Sequence, residues 1–179
     1  YDHRDKFSKF IVQMVNIVEI FQGRVELEKT TMSNRSTKVF TLNGISDATM
    51  HLLGMPKGKK LSEEEEDFIK EFWAEVSKNI PEWQLLLEKK ITPGEMRKEF
   101  VHSNTNSLNA LGIVGRMLVK EHPENWKEKI RGLKNINWSR SNPEWEGRLL
   151  IKGRMLKNAL GVELAANTIL QKCGVSLSE

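Results

Sequence analysis

The chain has 179 residues, of which 39% are hydrophobic and 29% charged, enough for one domain with a core of its own. No apolar run approaches the ~18–20 residues of a membrane span, so neither a membrane protein nor a disordered tail is expected. One cysteine, Cys173, excludes an internal disulfide and fits a reducing cytoplasm. The chain begins Tyr1-Asp2-His3, with no methionine and no signal peptide. It reads as one helical domain, 1–179, cut from a longer protein.

The net charge of +4 points to an anionic partner, and it is unevenly spread. Residues 1–88 carry a net −3, residues 89–158 a net +8 and residues 159–179 a net −1. The stretch 130–158 holds seven basic residues, Arg131, Lys134, Arg140, Arg148, Lys152, Arg154 and Lys157, against two acidic ones. Trp138 and Trp145 lie within it and Trp126 just before. Interleaved cations and flat rings suit a nucleic-acid surface, where cations meet phosphates and rings stack on bases. They equally suit a solvated helix face over core tryptophans.

In chain order, apolar residues from Phe7 to Phe21 recur at spacings of three and four, which predicts a helix over 4–21 stopped by Gly23. Residues 24–42 lose that period and predict a short extended or β segment. Its middle is a polar run, Thr30 to Thr37. Ser46 or Asp47 can cap a short helix ending at Gly54. Pro56 and Gly58 make 55–60 a loop. Ser62 with Glu65 is a capping-box pattern, and the acids Glu63 to Asp67 favour the helix start they occupy. Pro81 opens a further short helix through Leu87, and Thr92-Pro93-Gly94-Glu95 starts another.

Residues 105–121 predict a helix apolar nearly all round and so central to the fold. Gly112 and Gly115 are costly inside it, which implies close approach by another backbone. A short helix over 124–133, a turn near 135–142, a cap at Ser141 and a last helix over 162–173 stopped by Gly174 complete a mainly α reading.

The chemistry is sparse. His3, His51, His102 and His122 have no metal-ligand spacing, and Cys173 has no partner thiol. No P-loop, dinucleotide or nucleophile motif is present. Cys173 falls on the inward face of the last helix, where free cysteine behaves as a small hydrophobe. His102-Ser103-Asn104 fits a helix cap. No catalytic residue, metal or cofactor is expected. Two segments stand out. One is the hydroxyl run Thr30 to Thr37, bracketed by Arg24, Lys29, Arg35 and Lys38, which can hold an anion or form an ordinary polar loop. The other runs from Asn137 to Arg148, with two tryptophans and the cations Arg140 and Arg148.

These segments, VELEKTTMSNRSTKVFTLNGI (Val25 to Ile45) and INWSRSNPEWEGR (Ile136 to Arg148), resemble the DndB family of DNA sulfur modification proteins, of the DGQHR-domain group. The stretch His102 to Gly115 is similar to the same family. The likeness spans most of the chain, as the portion after the family's N-terminal DGQHR motif, which this sequence lacks. The resemblance implies a part in bacterial DNA phosphorothioation, in which sulfur replaces a non-bridging phosphate oxygen. It implies a regulator that binds promoter DNA rather than the sulfur-transfer catalyst. It carries no motif that assigns contact residues, so these rest on charge and chemistry.

The first expectation is therefore a DNA-binding transcriptional regulator. Arg24, Lys29, Arg35, Arg140, Arg148 and Arg154 would hold phosphates of double-stranded promoter DNA. Thr30, Thr31, Ser33 and Asn34 would add neutral hydrogen bonds. The second is a non-catalytic helical scaffold that docks an acidic partner protein or a second copy of the chain. A nucleic-acid enzyme is disfavoured unless His102 or His122 meets carboxylates in a cleft.

Overall fold

The computed structural model describes residues 2–29, 31–33, 35–54, 60–156 and 158–175. The fold is mainly α. Helices α1 (Asp2–Val15), α2 (Leu42–Leu52), α3 (Glu63–Asn79), α4 (Pro81–Leu87), α5 (Pro93–Glu99), α6 (Thr105–Glu121), α7 (Trp126–Ile130) and α8 (Ala159–Lys172) alternate with short 3-10 turns. Two pairs of two-residue strands complete the described elements. Among the described residues, no helix is long and apolar enough to cross a membrane.

Local chemistry explains most helix starts. Ser62 and Glu65 exchange backbone and side-chain hydrogen bonds in a capping box at α3, and Thr92 and Glu95 do the same at α5. Pro81 and Pro93 stand in the first turns of α4 and α5, where a missing N–H costs nothing. Asn104 Oδ1 accepts from Ser107 N at 3.0 Å to open α6.

Three starts differ from the sequence reading. Helix α2 begins at Leu42, capped by Thr41, whose Oγ1 accepts from Gly44 N at 3.0 Å; Ser46 and Asp47 lie inside it. Asn142, not Ser141, caps the 3-10 turn Pro143–Trp145. Asn158 Oδ1 accepts from Leu160 N at 2.8 Å and starts α8 three residues early. Helix α1 also stops at Val15. Val18 is extended, with φ −72° and ψ 119°, and the apolar period then runs on through a 3-10 turn that buries Ile20 and Phe21.

The extended segment resolves into β1 (Val25–Glu26) and β2 (Phe40–Thr41), paired in parallel with Val25 opposite Phe40 and Glu26 opposite Thr41. A parallel pair needs a long connection, and the sequence between the two strands supplies one, closed at its base where Val39 N and Phe40 N donate to Arg24 O. A hairpin absent from the sequence reading joins β3 (Leu150–Ile151) to β4 (Arg154–Met155). Its two-residue turn has φ +50° at Lys152 and +78° at Gly153, the positive pair of a type I′ turn. Lysine at the first position hides it from turn statistics.

Helix α6 is the centre, packed against both α2 and α8. Gly112 and Gly115 do what their cost implied. A Cβ on Gly112 would overlap the Ala48 carbonyl, and one on Gly115 would overlap the Phe72 ring and Leu52. Gly112→Ala therefore forces α2 and α6 apart. Overpacking of this kind costs ~1–3 kcal/mol, and for a chain of this size each kcal/mol lowers the melting temperature by about 2–4 °C. Calorimetric melting of the variant should show that drop.

Candidate functional site

The basic tryptophan segment is a structural part before it is a surface. Trp138 and Trp145 are 2% and 1% exposed and stack on each other, with centroids 5.5 Å apart and planes 13° apart. Trp126 is buried against Phe68 and Phe72. The indoles are core rings, and no base can stack on them. The chain around them bonds to itself. Trp145 Nε1 and Asn142 Nδ2 both donate to Asn137 O at 2.9 Å, and Ser139 Oγ meets Ser141 Oγ at 2.8 Å.

The same segment lies along the end of α5. Val101 N donates to Trp138 O and Arg140 N to Glu99 O, both at 3.0 Å. This pairing brings Arg140 to a cleft of about 780 Å³ at the start of α6. Arg97 and Lys98 of α5, Thr41, and Ser103 to Thr105 line it, with Glu95, Glu99 and the apolar Met32, Val39, Phe100 and Met155. Arg140 Nη2 donates to Arg97 O at 3.3 Å, while its buried Nε meets no acceptor. Arg140 makes no ion pair among the described residues. Burial lowers its pKa, yet a guanidinium stays charged. A half-buried cation without a carboxylate is costly, and an anion in the cleft would relieve it.

Arg97 is the functional-looking residue that the sequence reading missed. Its Nη1 donates to Ser36 O at 2.9 Å and to Lys38 O, and its Nη2 to Ser33 O at 3.2 Å. One guanidinium thus gathers three carbonyls of the hydroxyl loop and lashes it to α5. Nothing local marks it, because its partners are about sixty positions away.

The ten expected contact residues divide accordingly. Arg24 Nη1 donates to Glu19 O and Gln22 O at 3.1 Å, closing the 3-10 turn before it. Arg148 donates to Glu144 O within its own segment. Ser33 offers its carbonyl to Arg97, and Thr31 lines a different cleft. Lys29, Arg35 and Arg154 are exposed, and Arg154 precedes Met155 of the cleft wall. Thr30 and Asn34 lie outside the described residues. Of the six expected cations, Arg140 alone lines the cleft.

His102 meets a carboxylate, but in the core. It is fully buried, stacked on Phe100 with centroids 5.4 Å apart, and lines none of the clefts described. Trp83 Nε1 donates to its Nδ1 at 3.2 Å. An indole only donates, so the proton sits on Nε2 and is given to Glu82 Oε1 at 3.0 Å. Burial holds its pKa below the usual histidine value, against the upward pull of Glu82. Cys173 is buried, its thiol pushed up to about 12 by burial, so it is no thiolate nucleophile at neutral pH. Among the described residues, no cluster of three or more His, Cys, Asp and Glu could hold a metal.

The family model described as DndB, DNA-sulfur modification-associated, matches residues 1–176. The chain belongs to the DndB family. The match takes in both segments on which the resemblance rested, and it links the DndB-family chain to DNA sulfur modification. No curated protein and no solved structure matches it.

Two outcomes follow. Arg97→Ala frees the three loop carbonyls, and amide exchange across 35–40 should accelerate at least tenfold while α6 is unchanged. His102 has a folded pKa below its unfolded value of about 6.5, so the unfolded chain binds the extra proton first. Its contribution is complete above pH ~6.5 and is lost as pH falls. The denaturant midpoint should drop between pH 7 and pH 5.5, and His102→Gln should flatten that slope.

Proposed function

We propose that this chain is a non-catalytic DNA-binding regulatory module of a DNA sulfur modification system, one that grips DNA by its phosphate backbone. The observation that carries this reading is the Arg140 guanidinium, half-buried at a cleft with Arg97 and Lys98 and without a carboxylate of its own. The hydroxyls of Thr41, Ser103 and Thr105 stand in the same lining and can donate to phosphate oxygens. Exposed Arg35 and Arg154 would extend the grip, and Lys152, exposed at the hairpin turn, would add to it. Glu95 and Glu99 in the same lining leave the field partly cancelled, although the Glu95 carboxylate accepts from Thr92 N at 3.1 Å.

One observation favours a second reading. Ile151, Leu160 and Leu164 are 50%, 60% and 40% exposed, and the two leucines stand four residues apart on α8, on one face. Such residues suit a partner protein or a second copy of the chain.

An electrophoretic shift titration of duplex promoter DNA at two salt concentrations separates the two. Backbone binding predicts affinity falling with salt, each phosphate contact adding about 0.9 to the log–log slope. Arg140→Gln should weaken binding about tenfold and reduce the slope by roughly one contact. Exposed Lys98→Gln, which leaves the fold intact, should act in the same direction. Absent binding, or binding indifferent to salt, overturns the DNA reading.

A further inference from the structure

A second, larger cleft of about 980 Å³ runs along α6 between α2 and α8. It meets the first cleft at Asn104, Thr105 and Met155. Its volume is at the upper end for small-molecule sites. Four asparagines line it, and three have a structural task. Asn104 caps α6, Asn158 caps α8, and Asn106 Nδ2 donates to Leu156 O. Asn109 has none, and its Oδ1 is buried without a donor. A buried acceptor left unpaired is costly, and its soft final torsion lets the amide turn to a ligand that brings an N–H.

Asn109, Ile113, Arg116, Met117 and Lys120 follow one another at helical spacing on the cleft side of α6. Arg116 and Lys120 form no ion pair among the described residues. From Asn109 to Arg116 the helix rises about 10 Å, roughly the reach from a base to its phosphate. Met117, Met155, Ile113 and Val162 belong to the same lining, soft apolar side chains suited to a flat ring. Glu163, also in the wall, would repel a bare anion near it but accept from a ribose hydroxyl.

We propose that this cleft binds a single nucleotide, its base against Asn109 and its phosphate at Arg116 and Lys120. The amide of asparagine pairs with the N6/N7 edge of adenine, so an adenine nucleotide is the preferred ligand. The nucleotide is either a free effector or one unit of a strand. The inference does not depend on the backbone-binding reading, since it uses other side chains.

Titration calorimetry of the full chain with AMP, adenosine, inorganic phosphate and a short oligo-dA tests it. AMP should bind at least tenfold more tightly than adenosine or phosphate. Asn109→Leu should weaken AMP at least tenfold and leave its melting temperature unchanged or higher. Exposed Arg116→Gln should weaken AMP while sparing adenosine. Tighter binding of the oligonucleotide per site identifies a strand as the source, and tighter binding of AMP a free effector. No AMP binding, phosphate matching AMP, or Asn109→Leu without effect overturns the proposal.

Discussion

The contact on which the rest of the molecule depends is the backbone approach of α2 to α6. Glycine at 112 lets the Ala48 carbonyl lie where any side chain would stand. That closeness brings the start of α2 beside the start of α6, where Gly44 packs on Thr105. Thr41, the cap of α2, also ends β2, so the same contact fixes the base of the hydroxyl loop. Both clefts border the first turn of α6, and both exist because α2 can come so near.

A second order of constraint runs through the aromatic residues. Trp126, Phe72, Trp73, Phe21, Phe40, Trp83, His102, Trp138 and Trp145 touch in sequence, with neighbouring centroids 5.1 to 6.1 Å apart. Edge-to-face and offset pairs of this kind add roughly 0.5–1.5 kcal/mol each beyond burial. The polar tips are partly satisfied on the way. Trp73 Nε1 donates to Thr49 Oγ1 at 3.1 Å, and Trp83 Nε1 to His102. The tryptophan segment is therefore anchored by its rings, and Arg140 is carried to its cleft by that anchoring. Its distinctive sequence reflects packing first, with charge attached.

Much of this was legible in the residues. Capping boxes at Ser62 and Thr92 and the prolines at 81 and 93 signal through neighbours a few positions away, and α6 signals through its all-round apolar composition and the cost of two glycines inside a helix. The structure agrees with them, with the inward Cys173 and with the extended stretch around 24–42. What escaped depends on distant partners. Arg97 reads as one more cation until the loop carbonyls are folded against it. Trp138 and Trp145 look the same in sequence whether they stack on bases or on each other. Arg24 and Arg148 carry charge as expected, and each also gives one guanidinium nitrogen to carbonyls nearby. Asn109 is one more asparagine near the start of α6 until the other three of its cleft find partners and it does not.

The aromatic chain has an optical consequence. All five tryptophans of the sequence belong to it, so light absorbed by one indole can migrate along the core before it is emitted. The intrinsic fluorescence then reports the chain of rings as a unit and not five independent sites. The stacked pair at 138 and 145, held within 5.5 Å, should couple excitonically and give the near-ultraviolet dichroism a signature of its own. The segment that bears Arg140 thus carries a built-in reporter, sensitive to whatever shifts the pair.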